Sequence, residues 1–341
     1  MIPVVIVAGY LGSGKTTLLN HLLRAHRGTR IGVIVNDFGS VNIDAMLVAG
    51  QVDAMVSLAN GCVCCAVDVS ELDAMFTKLS QGRNAVDVIV VEASGLAEPR
   101  GLIRMVLASE NPRLTYGGLV EVVDAEHFSA TSAEHPELLT HLRLADLVLI
   151  NKADRTADLD ALRAQIADAV GDVPIYATTH GQIDPGLLFD QRTPEAPKVA
   201  QQLSFDLLTE DDHDHRDPTH RHLHDDYTTC HFQTDQPLDP RAFVEFLENP
   251  PANLFRAKGF AHFAGDNGKF TVHLVGHHIV FTPDTWARNE TPSTDLVLIG
   301  PGLDVEEARN RLRATESQTD TESHTDTDNQ AMLSVWRYTP R

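Results

Sequence analysis

Gly9-Tyr-Leu-Gly-Ser-Gly-Lys-Thr16 is the stretch on which the fold turns. Two glycines bracket four residues ahead of a Lys and a Thr, the spacing of a phosphate-binding loop. An apolar run of strand length, Ile2–Ala8, precedes it, and a helical pattern over 16–25 follows. Glycines there let backbone N–H groups converge on phosphate oxygens, and the helix N-terminus adds positive potential. The expected cradle comprises Gly9, Gly12, Ser13, Gly14, Lys15, Thr16 and Thr17. Lys15 is expected on the β- and γ-phosphates as a catalytic residue, and the Thr16 hydroxyl on Mg²⁺.

Working outward, short β-branched runs at 30–35, 85–91, 118–123 and 147–150 alternate with helical patterns at 70–79, 100–107 and 158–170. Nearly all-apolar strands that alternate with helices predict an α/β fold: a P-loop NTPase parallel sheet with helices on both faces, over residues 1–190. Composition turns polar near residue 191, and a linker is expected over 191–226. A smaller α+β C-terminal domain is expected over 227–314, closed by a helix near Val305–Arg313. Residues 315–341 begin as an almost wholly polar run and are expected as a disordered tail, although 332–338 turn apolar again, with docking back on the domain as the alternative.

Two further elements belong with the loop. Asn151-Lys152-Ala-Asp154 follows a strand; an Asp carboxylate there accepts from the N1–H and exocyclic amine of guanine, whereas adenine presents the opposite pattern. That favours GTP and GDP over adenine nucleotides. Val88-Ile-Val-Val-Glu92-Ala-Ser-Gly95 is a strand delivering an acid beside the γ-phosphate. Glu92 is expected to act on Mg²⁺ through water as a catalytic residue, with the Gly95 N–H offered to phosphate. Asn36-Asp37-Phe-Gly39 is the switch candidate, in which Asp37 touches Mg²⁺, touches a second metal, or forms an Asx-turn. No residue stands out as a water-positioning Gln, so slow intrinsic hydrolysis is expected.

Gly61-Cys-Val-Cys-Cys65 carries three of the four cysteines. In an extended segment Cys62 and Cys64 project to one face and Cys65 to the other, so two thiolates can share an ion and a bend can bring in the third. Thiolates suit Zn²⁺, Co²⁺ and Cu⁺. Buried structural cysteines and a regulatory disulfide are the alternatives. A second set, His213, His215, His220, His222 and His224, lies among aspartates. Alternating His–X–His presents imidazoles on one side of an extended chain, and a solvated loop with weak metal affinity is the bland alternative. Cys230, His231, His277 and His278 read as strand or strand-terminal positions.

The net charge of −21 argues against partners that need a positive face, namely nucleic acid and anionic membranes. No run approaches the roughly 20 apolar residues of a membrane span, and no basic leader precedes the first strand. Clustered cysteines make a poor disulfide framework, which points to a reducing, cytoplasmic setting.

Taken together, the phosphate loop, Asn36-Asp-Phe-Gly-Ser-Val-Asn-Ile-Asp44, the cysteine motif, Glu92-Ala-Ser-Gly-Leu-Ala-Glu-Pro99 and Asn151-Lys-Ala-Asp154 resemble the CobW-type metallochaperone GTPases. Arg256-Ala-Lys-Gly259 and Leu298-Ile-Gly-Pro-Gly302 resemble that family's C-terminal domain. The resemblance implies that Mg²⁺·GTP orders the switches and assembles a thiolate site, which hydrolysis loosens. It also implies that two or more of Cys62, Cys64 and Cys65, with the switch acid Asp37, hold the metal. The chain departs from the family at Asp37, usually Glu, and at Ser40, often an acid. A shorter or missing carboxylate alters metal preference or weakens binding.

Members so resembled divide among zinc delivery, cobalt supply for cobalamin synthesis and nitrile hydratase activation. Mixed ligands and the Irving–Williams order favour Zn²⁺ over Co²⁺. The expected partners are a nucleotide and a client metalloprotein, with a homodimer left open. The rivals are a GTP-dependent adaptor with structural cysteines and a small-molecule kinase.

Overall fold

The computed structural model describes residues 1–25, 28–35, 54–57, 69–82, 85–95, 98–190, 227–317 and 326–340. The first half is a parallel sheet. Its strands are β1 (Ile2–Ala8), β2 (Ile31–Val35), β3 (Ala54–Ser57), β4 (Val88–Glu92), β5 (Leu114–Asp124), β6 (Leu147–Asn151) and β7 (Ile175–Ala177), in the order β3-β2-β4-β1-β5-β6-β7. Every residue of β2, β4 and β6 is buried, as a sheet covered on both faces requires.

Side chains of β1 alternate between two cores. Val5 and Val7 pack with Leu18, Leu19 and Leu22 of α1 (Lys15–Ala25). Val4 and Ile6 pack with Phe76 of α2 (Val69–Ser80) and Leu102 of α3 (Pro99–Leu107). This period-two division is what a strand with helices on both sides imposes. Two short helices, α4 (Phe128–Glu134) and α5 (Glu137–Leu142), and the longer α6 (Leu159–Val170) cover the β5–β6 end, and α7 (Pro185–Leu188) closes the first domain.

Sequence periodicity finds five of these strands and four helices. It misses β3, β7, α4, α5 and α7, because strands of four and three residues and helices of four to seven are too short to show a period. β3 and β7 stand at the two edges of the sheet among the described residues.

The second half is a five-stranded antiparallel sheet in the order β11-β10-β9-β12-β8. Its strands are β8 (Thr228–Thr234), β9 (Arg256–Ala261), β10 (Lys269–Val275), β11 (His278–Asp284) and β12 (Thr294–Gly300). Helices α8 (Pro240–Glu248) and α9 (Val305–Arg313) are each capped by an aspartate: Asp239 accepts from the Arg241 and Ala242 amides, and Asp304 from those of Glu306 and Glu307.

The chain end corrects an expectation. Within the segment 315–341 expected as a disordered tail, residues 318–325 and 341 lie outside the described residues, but Thr315 is buried and α10 (Asp326–Trp336) docks on α8, with Met332 and Val335 in the core of the domain. The apolar residues of 332–338 are the reason: the Ser334 hydroxyl donates to Pro240 O, and the Phe281 amide donates to Tyr338 O at 3.0 Å.

The two halves meet across a buried seam. His273 Nε2 donates to Tyr116 O at 3.3 Å, and the Asp146 carboxylate accepts from Tyr116 and from the Leu119 amide. Gly276, at φ +54°, lies so close to Asp146 that a Cβ there would fall 1.8 Å from its Oδ1. Arg256 and Lys258 of β9 both pair with Asp190. No helix among the described residues is long and apolar enough to cross a membrane.

Candidate functional site

The loop between β1 and α1 folds into a cradle for backbone reasons. Gly9, at φ +144°, lies against β5, where a Cβ would fall 2.3 Å from Val122 O. Gly14, at φ +102°, would place a Cβ 2.1 Å from Asn151 Nδ2. Only glycine fits either position. Inside the cradle Ser13 is buried, and its Oγ has no partner among the described residues. A buried hydroxyl left in that state is costly unless something accepts from it or donates to it. A phosphate oxygen at the open N-terminus of α1 would accept from it.

Lys15 is 8% exposed, and its Nζ donates to Gly9 O at 2.9 Å and Tyr10 O at 3.2 Å. The ammonium is therefore stored on the loop's own carbonyls. Thr16 Oγ1 donates to Glu92 Oε1 at 3.0 Å, and Glu92, at the end of β4, is only 3% exposed. A hydroxyl and a carboxylate at one point form a hard-oxygen donor set of the kind Mg²⁺ takes with waters and phosphates. Gly95 abuts the loop as well: a Cβ there would stand 2.9 Å from the Leu11 amide nitrogen. Thr17 is exposed on the first turn of α1.

Asn151 ties two loops together. Its Nδ2 donates to Ser13 O at 2.9 Å, and its Oδ1 accepts from the Gly181 amide at 2.8 Å. The chain then turns through Lys152 at φ +58° into a single 3₁₀ turn, Ala153–Arg155, which leaves Asp154 exposed. Ala153 N donates to Thr178 O, so the segment after β7 lines this turn. Asn151, which donates to Ser13, and Lys152, which lines the cavity beside Tyr10 and Ser13, thus lie at the cradle, with Asn151 in a positioning role and Asp154 on the exposed turn that follows. Sequence reasoning missed Thr178 and Gly181; Thr178-Thr-His-Gly181 directly after a strand was the available signal.

A cavity of about 360 Å³ lies on the other flank of the loop, between Tyr10–Ser13 and the ends of β5 and α4. Asp124 and His127 line it and form a group with Glu126 in which the ligand-type atoms lie within 4.8 Å of one another. Ion pairs account for this group: Lys152 Nζ is 2.6 Å from Asp124, and Arg155 is 3.4 Å from Glu126. Its floor holds Glu121, a second residue that sequence reading passed over.

Asp37, Cys62, Cys64, Cys65, His213, His215, His220, His222 and His224 lie outside the described residues. Cys230 is fully buried in the C-terminal core, where burial pushes its thiol up, and His231 follows it on β8. Both are strand residues, and His278 opens β11.

Residues 3–177 match the family model described as CobW/HypB/UreG, nucleotide-binding domain, and residues 227–316 match the cobalamin synthesis protein cobW C-terminal domain. The chain is 29% identical to the zinc chaperone YjiA of Escherichia coli over 90% of its own length and 96% of that protein. It is 32% identical to the zinc chaperone CobW of Pseudomonas aeruginosa, over 92% and 91% respectively. A crystal structure of Zn(II)-bound YjiA GTPase from E. coli aligns over 93% of this chain and 99% of that one, at 24% identity and a TM-score of 0.44.

Proposed function

The chain belongs to the CobW/HypB/UreG family and is a P-loop GTPase, and from that premise we propose that it hydrolyses GTP to gate the delivery of a transition metal, zinc first, to a client protein. Cys62, Cys64 and Cys65, with Asp37, are the proposed cargo ligands, and the histidines at 213, 215, 220, 222 and 224 a weaker secondary set. The nucleotide lies on Gly9–Thr17 and Gly95, with guanine read by Asp154 and flanked by Lys152. Thr16 and Glu92 hold Mg²⁺, which when bound neutralises charge on the β- and γ-phosphates.

The observation that carries the reading is the meeting of Thr16 with Glu92. Glu92 pairs in register with Val35, and Val35 with Ser57. β2 ends at Val35, two positions before Asp37 in the sequence, and β3 ends at Ser57, five positions before Cys62. The described strand ends nearest in sequence to both proposed ligand segments therefore stand in register beside the end of β4, which carries Glu92. Full-length likeness to proteins named zinc chaperones supports zinc as the cargo.

The test is a Zn²⁺ titration against a competing chelator, with protein loaded with Mg²⁺·GTP analogue, with Mg²⁺·GDP, or with neither, and Cys64→Ser alongside. Affinity is expected to rise in the GTP state and collapse in the variant, since coupling between two ligands is reciprocal. Equal binding in all three states, or binding that survives the substitution, overturns the gate and leaves a GTP-dependent adaptor.

A further inference from the structure

We propose that Glu121 is a positioning residue for the phosphate loop: a buried carboxyl whose gain or loss of a proton sets how firmly Lys15 is held by the protein, and so how tightly nucleotide binds. The inference rests on the reading of Lys15 as a phosphate ligand.

Position comes first. Glu121 pairs with Ala8, the last residue of β1 before the loop, and the next residue, Val122, is the one whose carbonyl packs on Gly9. Glu121 is 4% exposed and lines the cavity flanking the loop, together with Tyr10 and Ser13. Its Oε2 has no hydrogen-bond partner among the described residues. Val122, Phe128, Leu138 and Leu142 form the apolar part of the cavity wall, and Asp124, His127, Thr131 and Lys152 line the rest. A carboxylate buried there is poorly solvated, and the charge on Lys15 opposes that cost.

Chemistry follows from that position. Burial pushes the Glu121 carboxyl up to about 8, against an opposing pull from Lys15. Near neutrality it is largely uncharged and adds little hold on the ammonium, which donates to Gly9 O and Tyr10 O. Once ionised, it attracts Lys15 and repels the phosphates. Nucleotide binding both draws Lys15 away and adds negative charge, so it raises the carboxyl's proton affinity further. The sign is fixed: binding takes up a proton near pH 8, and affinity falls as pH rises above that point.

Other titratable or charged groups face this region. They are Tyr10 on the loop, with His135 on its hydroxyl, Glu92 of β4, Asp124 of β5, His127 beside α4 and Lys152 after β6. All are unchanged in Glu121→Gln, which keeps size and polarity but cannot ionise. The difference between the two proteins therefore reports Glu121 alone.

The experiment measures Mg²⁺·GDP affinity of the full chain across the alkaline range at constant ionic strength, for wild type and Glu121→Gln. Wild-type affinity is expected to fall by about fivefold or more between about pH 7 and about pH 9, beyond any change in the variant, with the two proteins alike at neutral pH. Parallel curves overturn the proposal. Wild-type calorimetry near pH 8 in two buffers of different ionisation enthalpy gives an answer even if the variant does not fold. Proton uptake on binding supports Glu121, and its absence overturns it. Failure of the wild type to bind Mg²⁺·GDP at neutral pH would instead sink the reading of the loop itself.

Discussion

The hydroxyl of Thr16 donates to the Glu92 carboxylate at 3.0 Å, joining the start of α1 to the end of β4 across the width of β1. Thr16 is the first residue after the loop lysine, and Glu92 stands where the chain turns toward Gly95. One hydrogen bond thus links the glycine-rich loop to the segment proposed to meet the γ-phosphate. Glu92→Gln keeps an acceptor for Thr16 and removes the charge.

With Mg²⁺ held at this pair as proposed, the Gln variant should fold normally and bind GDP, but need about tenfold more Mg²⁺ for half-maximal GTP turnover. That corresponds to the roughly 1.4 kcal/mol or more by which a charged partner exceeds a neutral one. A Mg²⁺ titration of GTP hydrolysis checks it. An unchanged Mg²⁺ requirement would remove Glu92 from the metal site.

Acid should loosen the seam between the two halves. Burial first, and the neighbouring Arg256 charge with it, lowers His273 from its ordinary 6.5 to about 4, so the folded protein keeps it neutral while the unfolded chain protonates it. Stability contributed by this group is complete above pH 6.5 and is lost as pH falls through the window from 6.5 to 4, at up to roughly 1.4 kcal/mol per pH unit. Urea midpoints between about pH 7 and about pH 5 should fall more steeply for wild type than for His273→Gln. Equal slopes would remove His273 from the acid response.

The C-terminal helix should contribute to stability through one face only. Met332 is 3% exposed in the core, whereas Leu333 beside it is 64% exposed. Met332→Ala should cost about 2–5 kcal/mol in chemical unfolding, and Leu333→Ala within about 0.5 kcal/mol. Equal effects would mean that α10 does not dock as described.

Long elements were legible because their periods are long. The strand before the phosphate loop, the helix after it and Val305–Arg313 all follow from local pattern, and the last two agree with the structure to within a residue. Edge strands β3 and β7 were not legible, since each pairs on one side and has too few residues to alternate. The end of the chain misled for a related reason. Its polar lead-in resembles a disordered tail, and only the presence of α8 and β11 gives Met332 and Val335 a surface to bury against.

In the candidate site, the sequence by itself determined which residues form the phosphate loop, because glycine spacing and the Lys-Thr pair are local chemistry carried by consecutive atoms. It also singled out Glu92 and Asn151 by their places at strand ends. Their partners were decided by tertiary structure alone. That Glu92 meets Thr16, that Asn151 clasps Ser13 to Gly181, and that Glu121 sits beneath the loop all depend on which strands lie side by side. Strand order arises from burying two helical layers on one sheet, a property of the whole chain that no local window contains. A glutamate on an apolar strand reads as an interruption until β1 is seen beside β5; then it is a buried carboxyl beside the loop that carries Lys15.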